Sequence, residues 1–98
     1  MIGTAVVHAA PVAADTLTVT PAIARPGDAV LVTVTGAREV PHGTANGSPL
    51  QFFPSRTGYQ AVFAIALDAP PESISVEVDS AAKPGTVKLR AVVFPETS

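Results

Sequence analysis

Short segments in which apolar and polar residues alternate run the length of this chain. Pro- and Gly-containing turns separate them, and no stretch sustains the period of about 3.6 residues that marks an amphipathic helix. These three observations predict an all-β fold: an immunoglobulin-like antiparallel β-sandwich of about seven strands. A small barrel is the alternative closure. The turn supply is ample, with 10 Pro and 7 Gly in 98 residues, and a chain of this length makes one domain. Its apolar residues are mainly Ala and Val, which predicts thin layers over a modest core.

The elements follow in order. Leu17 and Val19 alternate with Thr16, Thr18 and Thr20 in a half-buried strand that Pro21 stops. Arg25-Pro26-Gly27-Asp28 predicts a turn, because Pro sets φ and Gly accepts φ > 0. Ala29 to Thr35 is the clearest strand, with β-branched Val30, Val32 and Val34 on one face. Gly36 to Val40 connects it to a short strand, His42 to Ala45. Asn46-Gly47 is the strongest hairpin signal, since a type I′ turn needs φ > 0 at both central residues. Ser48 to Phe53 is the expected return strand, with Leu50 and Phe52 on one face and Pro49 marking an edge. After a loop from Pro54 to Gly58, Tyr59, Ala61, Phe63, Ile65 and Leu67 share a face of a long strand that ends at Asp68-Ala69-Pro70-Pro71. Ile74, Val76 and Val78 alternate with Ser75, Glu77 and Asp79 in a one-sided strand. A loop from Ser80 to Gly85 leads to the last strand, where Val87, Leu89, Ala91 and Val93 alternate with Lys88 and Arg90 until Pro95.

Composition excludes several functions. Cys 0 removes thiolate metal sites, disulfides and a Cys nucleophile. A net charge of -2, with Arg25, Arg38, Arg56 and Arg90 scattered, offers no basic field for nucleic acid. Charged residues are 14% of the chain, against about 25% in an average globular protein, while hydrophobic residues are 47%. The surface is therefore bland.

Residues 1–14, MIGTAVVHAAPVAA, are apolar and small but carry no Lys or Arg. They are too short to span a bilayer, and no other segment is long and apolar enough for a transmembrane helix. Val12-Ala13-Ala14 before Asp15 fits a signal-peptidase site. The expected organisation is a signal-peptide remnant or disordered leader over 1–14 and a sandwich domain over 15–98. An export signal would place the protein in the periplasm or outside the cell.

Catalytic chemistry finds no support in the motifs. A zinc site needs three or four convergent ligands, and the two histidines, His8 and His42, stand apart. His42 with Glu39 reads as a solvated loop pair. Ser48 lies in hairpin chemistry, Asn46-Gly47-Ser48-Pro49, and not in a nucleophile elbow. Glu77 and Asp79 share a strand face and read as its solvated side, not as a glycosidase pair. Asp28 and Asp68 read as turn residues whose carboxylates accept backbone N–H groups. No catalytic residue, metal ligand or cofactor is assigned. The candidate contacts for a ligand or partner are Phe53, Tyr59 and Asn46. Tyr59 and Phe63 fall on the apolar face, and Phe53, out of phase with Phe52, is the aromatic expected to face solvent.

Four runs come in a telling order: Pro26-Gly27-Asp28-Ala29-Val30-Leu31-Val32-Thr33-Val34, Asn46-Gly47-Ser48-Pro49-Leu50-Gln51-Phe52-Phe53-Pro54, Gly58-Tyr59-Gln60-Ala61 and Leu67-Asp68-Ala69-Pro70-Pro71. The series, over roughly residues 17 to 95, resembles the immunoglobulin-like domain found N-terminal to LytM/lysostaphin-type zinc metallopeptidases, which cleave bacterial peptidoglycan. Where that family often continues Asp-Ala-Pro-Pro with Gly-Thr-Tyr, this chain has Glu72-Ser73-Ile74. The family's H-x-x-x-D and H-x-H zinc motifs do not occur, so no catalytic residue carries over. The resemblance implies a non-catalytic accessory domain of the cell envelope that positions or regulates a peptidase domain. Its expected partner is that domain or another envelope protein. Two other readings stand beside it: a module that binds peptidoglycan or carbohydrate, and an interaction protein that works by strand donation.

Overall fold

In a computed structural model, residues 15–82 and 85–96 are described. The expected leader over 1–14, with His8, lies outside them. Among the described residues, nine strand segments form two sheets packed face to face, and the predicted all-β sandwich is the fold. The first sheet contains β1 (Thr16–Thr20), β3 (Ala29–Thr35), β6 (Phe53–Pro54) and β7 (Gly58–Ala64), in the order β1-β3-β7-β6 and antiparallel throughout. The second contains β2 (Ile23–Ala24), β4 (His42–Ala45), β5 (Ser48–Pro49), β8 (Ile74–Ala82) and β9 (Gly85–Pro95), in the order β2-β9-β8-β4-β5. Its pairs are antiparallel except β2 with β9, which is parallel. This is the strand arrangement of immunoglobulin-like sandwiches, whose first, second, fifth and fourth strands share one sheet.

The core is built from valine. Val30, Val32 and Val34 of β3, Val76 and Val78 of β8 and Val93 of β9 are at most 1% exposed. Their period-two spacing puts each set on one face, and their branched side chains suit a pleated surface. Burying each is worth about 1.5–3 kcal/mol relative to exposure. Ser80 is buried among them. Its hydroxyl donates to the Asp15 carboxylate, so the start of the first sheet is tied to β8 of the second. That bond gives the buried Ser80 hydroxyl the partner it needs.

Two turns form as their residues dictate. In Arg25-Pro26-Gly27-Asp28, Gly27 has φ +93° and the Asp28 N–H donates to the Arg25 carbonyl at 3.0 Å, a type II turn. The Asp28 carboxylate accepts the Arg25 N–H at 2.9 Å, the role expected of it. Asn46 and Gly47 have φ of +48° and +85°, and they join β4 to β5 in the expected type I′ hairpin.

Besides β2, a strand that the alternation does not predict and that pairs in parallel, three elements differ from expectation. The return strand over Ser48 to Phe53 is split. Ser48–Pro49 is the edge of the second sheet, and Phe53–Pro54 is the edge of the first. Proline has no N–H with which to continue a ladder, and half-buried Leu50 and Phe52 point into the core as the chain crosses between the sheets. β7 stops at Ala64, short of Leu67. Ile65 exchanges backbone bonds with the Gly27-Asp28 turn, and the chain then turns over Ala66 to Ala69, leaving Leu67 84% exposed. The loop expected over Ser80 to Gly85 is mostly ladder, with Ser80 opposite Val87 and Ala82 opposite Gly85. Pairing with β9 overrides the weak strand preference of Ser and Ala.

Candidate functional site

The candidates Phe53, Tyr59 and Asn46 occupy three separate places. Tyr59 opposes Val34 and shares its phase with buried Ala61, so its ring turns inward and is half-buried. Phe53 opposes Gln60, whose phase is the outer one, and is 45% exposed. The two aromatics therefore face opposite sides of the first sheet and make no common platform. Asn46 stands on the hairpin turn of the second sheet. Its N–H donates to the Ser75 carbonyl and its Oδ1 accepts the Ser75 N–H, each at 2.8 Å. That pair of bonds fastens the hairpin to β8.

The acids of β8 meet the bases of β9. Glu77 is in register with Arg90 and Asp79 with Lys88. Lys88 Nζ lies 3.7 Å from Glu77 and 3.9 Å from Asp79, and Arg90 Nε lies 3.7 Å from Glu77. These side chains are 42% to 71% exposed, so each pair contributes under about 1 kcal/mol. A hollow of about 410 Å³ lies beside this ladder, lined by His42, Thr44, Pro49, Glu77, Asp79 and Lys88. His42 is in register with Asp79, while Ser48 opposes Ala45, about 10 Å along β4. The two do not meet as nucleophile and base. Among the described residues, no group of three or more His, Cys, Asp or Glu side chains converges, and no helix is long and apolar enough to cross a membrane.

At the end of the sandwich where β8 begins and β9 ends, an apolar cavity of about 360 Å³ opens between the sheets. Ala24, Phe63, Ile65, Ile74 and Val93 line it. Ile23 and Phe94 lie side by side near its rim, 57% and 54% exposed, with the Arg25–Glu96 ion pair next to them.

The broadest feature is a segregation of charge between the sheets. His42, Glu77, Asp79, Lys88 and Arg90 all belong to the second sheet, whereas β1, β3, β6 and β7 contain no charged residue and no histidine. The outer face of the first sheet runs in register from Thr20 through Leu31 to Val62, and from Thr18 through Thr33 and Gln60 to Phe53. Gln60 Nε2 donates to Thr33 Oγ1 at 3.3 Å, and Val62 is 54% exposed. This face is neutral and partly apolar. The alternation of outward Thr, Leu, Gln and Val is plain in each strand, but their joining into one face depends on the sheet order.

No protein-family model matches the chain, and neither a curated protein nor a solved structure matches it.

Proposed function

We propose that this chain is a non-catalytic interaction module of the bacterial cell envelope, the accessory domain of a LytM/lysostaphin-type peptidoglycan metallopeptidase, and that it positions or regulates the catalytic domain. The observation that supports a protein-binding role is the uncharged outer face of the first sheet, with Val62 exposed on β7 and Phe53 exposed on the edge strand β6. The core of a protein interface is depleted in charge, and this face has no charged strand residue and one exposed aromatic, Phe53. The charge ladder of the opposite sheet keeps the other side wet. The peptidase connection rests on the ordered motifs between Pro26 and Pro71. A sugar platform has less support, because Phe53 and Tyr59 do not share a face.

Two measurements test the reading. Titration of the purified chain into a LytM-type catalytic domain from the same organism should give saturable one-to-one binding by calorimetry. Incubation with purified sacculi, with and without zinc, should release no soluble fragments and leave the chain in the supernatant. Zinc-dependent release by the chain alone would overturn the non-catalytic role. Retention on sacculi without binding to the catalytic domain would replace the proposal with a wall-binding module.

A further inference from the structure

Four strands end the two sheets: β1 and β6 in the first, β2 and β5 in the second. Soluble β-proteins blunt such edges with short strands, prolines or charges. β2, β5 and β6 are each two residues long, and β5 and β6 contain Pro49 and Pro54. β1 has none of these protections. It is five residues long, Thr-Leu-Thr-Val-Thr, with no proline, glycine or charge. All five pair with β3 on one side, and among the described residues no strand pairs with the other. Its free side presents a row of N–H and C=O groups ready for another strand.

We infer that β1 pairs with β1 of a second copy of this chain, antiparallel across a two-fold axis at Thr18, so that the two uncharged sheets join into one continuous sheet. The sequence of β1 identifies the occupant, because an isologous contact must complement itself. Reversed about Thr18, the strand sets Thr16 against Thr20, Leu17 against Val19, and Thr18 against its own copy. Exposed threonines then meet threonines on the outer face, and half-buried Leu17 and Val19 meet on the inner one. Cross-strand pairs of both kinds are favourable. Neither β1 nor its paired neighbour β3 carries a charge. The two Asp15 carboxylates lie at opposite ends of the joint, about 20 Å apart, well beyond a Debye length of about 8 Å. The pairing leaves the outer face open and doubles it, so one dimer offers two partner sites on the same side.

Sedimentation equilibrium of the 98-residue chain at concentrations up to about 1 mM tests this. The wild type should reach twice the monomer mass. Thr18 is exposed on the outer face, so Thr18→Lys and Thr18→Glu should keep the wild-type melting transition. Each alone should be monomeric, because like charges meet at the axis. An equimolar mixture of the two should recover the dimer, a result that mere loss of structure could not produce. Deleting residues 1–14 should leave the wild-type dimer intact. A wild type that stays monomeric, a Thr18→Lys variant that still dimerises, or a mixture that does not recover the dimer would overturn the inference. A dimer lost with residues 1–14 would also overturn it and would make a donated leader the occupant.

Discussion

A methyl group on Gly58 would collide with the Val34 carbonyl oxygen, so no side chain fits there. Gly47, by contrast, has φ +85° with no atom within 4 Å of the position its Cβ would take. The two glycines are required for different reasons, and their alanine variants should separate them. Gly58→Ala has to push β7 away from β3 and should cost about 3 kcal/mol or more. Gly47→Ala meets only the left-handed backbone penalty and should cost about 1–2 kcal/mol. Urea denaturation read by circular dichroism measures both. Only one of them was legible beforehand. Asn46-Gly47 announces its turn through local φ preferences, whereas Gly58 reads as the end of a loop, because the atom that forbids a side chain there belongs to a strand more than twenty residues earlier. Asp28 belongs with the legible group, since its carboxylate bonds three residues back in its own turn.

Among the elements, alternation located the buried valines well. β3 and β8 present Val30, Val32, Val34, Val76 and Val78 to the core, as their phase predicts. Burial and charge should then rank the outcomes of substitution. Val76→Ala empties volume at a fully buried site and should cost about 2–3 kcal/mol. Lys88→Ala removes two exposed ion pairs and should cost less than about 1 kcal/mol. Chemical denaturation of both variants checks the order, and equal losses would mean that the ladder contributes more than its exposure allows. Alternation failed where an element changes sheet. Leu50 and Phe52 point inward as expected, yet the ladder around them is broken. Side-chain phase survives a crossing that backbone pairing does not.

For the whole molecule, the decisive property is the division of charge between the two sheets. It makes one broad side neutral and the other wet, and under the proposed function it puts the partner on the neutral side. Phe53→Ser combined with Val62→Lys should weaken binding to the catalytic domain at least about tenfold. Both side chains are exposed, so stability should move by no more than about 0.5 kcal/mol per site. Glu77→Gln, on the opposite sheet, should leave the affinity within about twofold. Calorimetric titration of the three proteins distinguishes these outcomes. Equal losses from both sheets would remove the first sheet's face as the contact.

The amino-acid sequence by itself determined the all-β class, the two glycine turns, the valine core and the outward phase of Phe53, Glu77, Asp79, Lys88 and Arg90. Each of these depends on backbone preferences within a few residues or on the period-two geometry of a single strand. The tertiary structure alone decided which strands share a sheet. It thereby decided that Phe53 and Tyr59 face apart, that Asn46 is fastened to Ser75, that every charged residue of the described strands lies on one side, and that β1 is the longest of the four strands that end the sheets. The physical reason is that strand pairing is a contact between distant parts of the chain. Period two tells a residue which face it takes, but not which sheet that face belongs to.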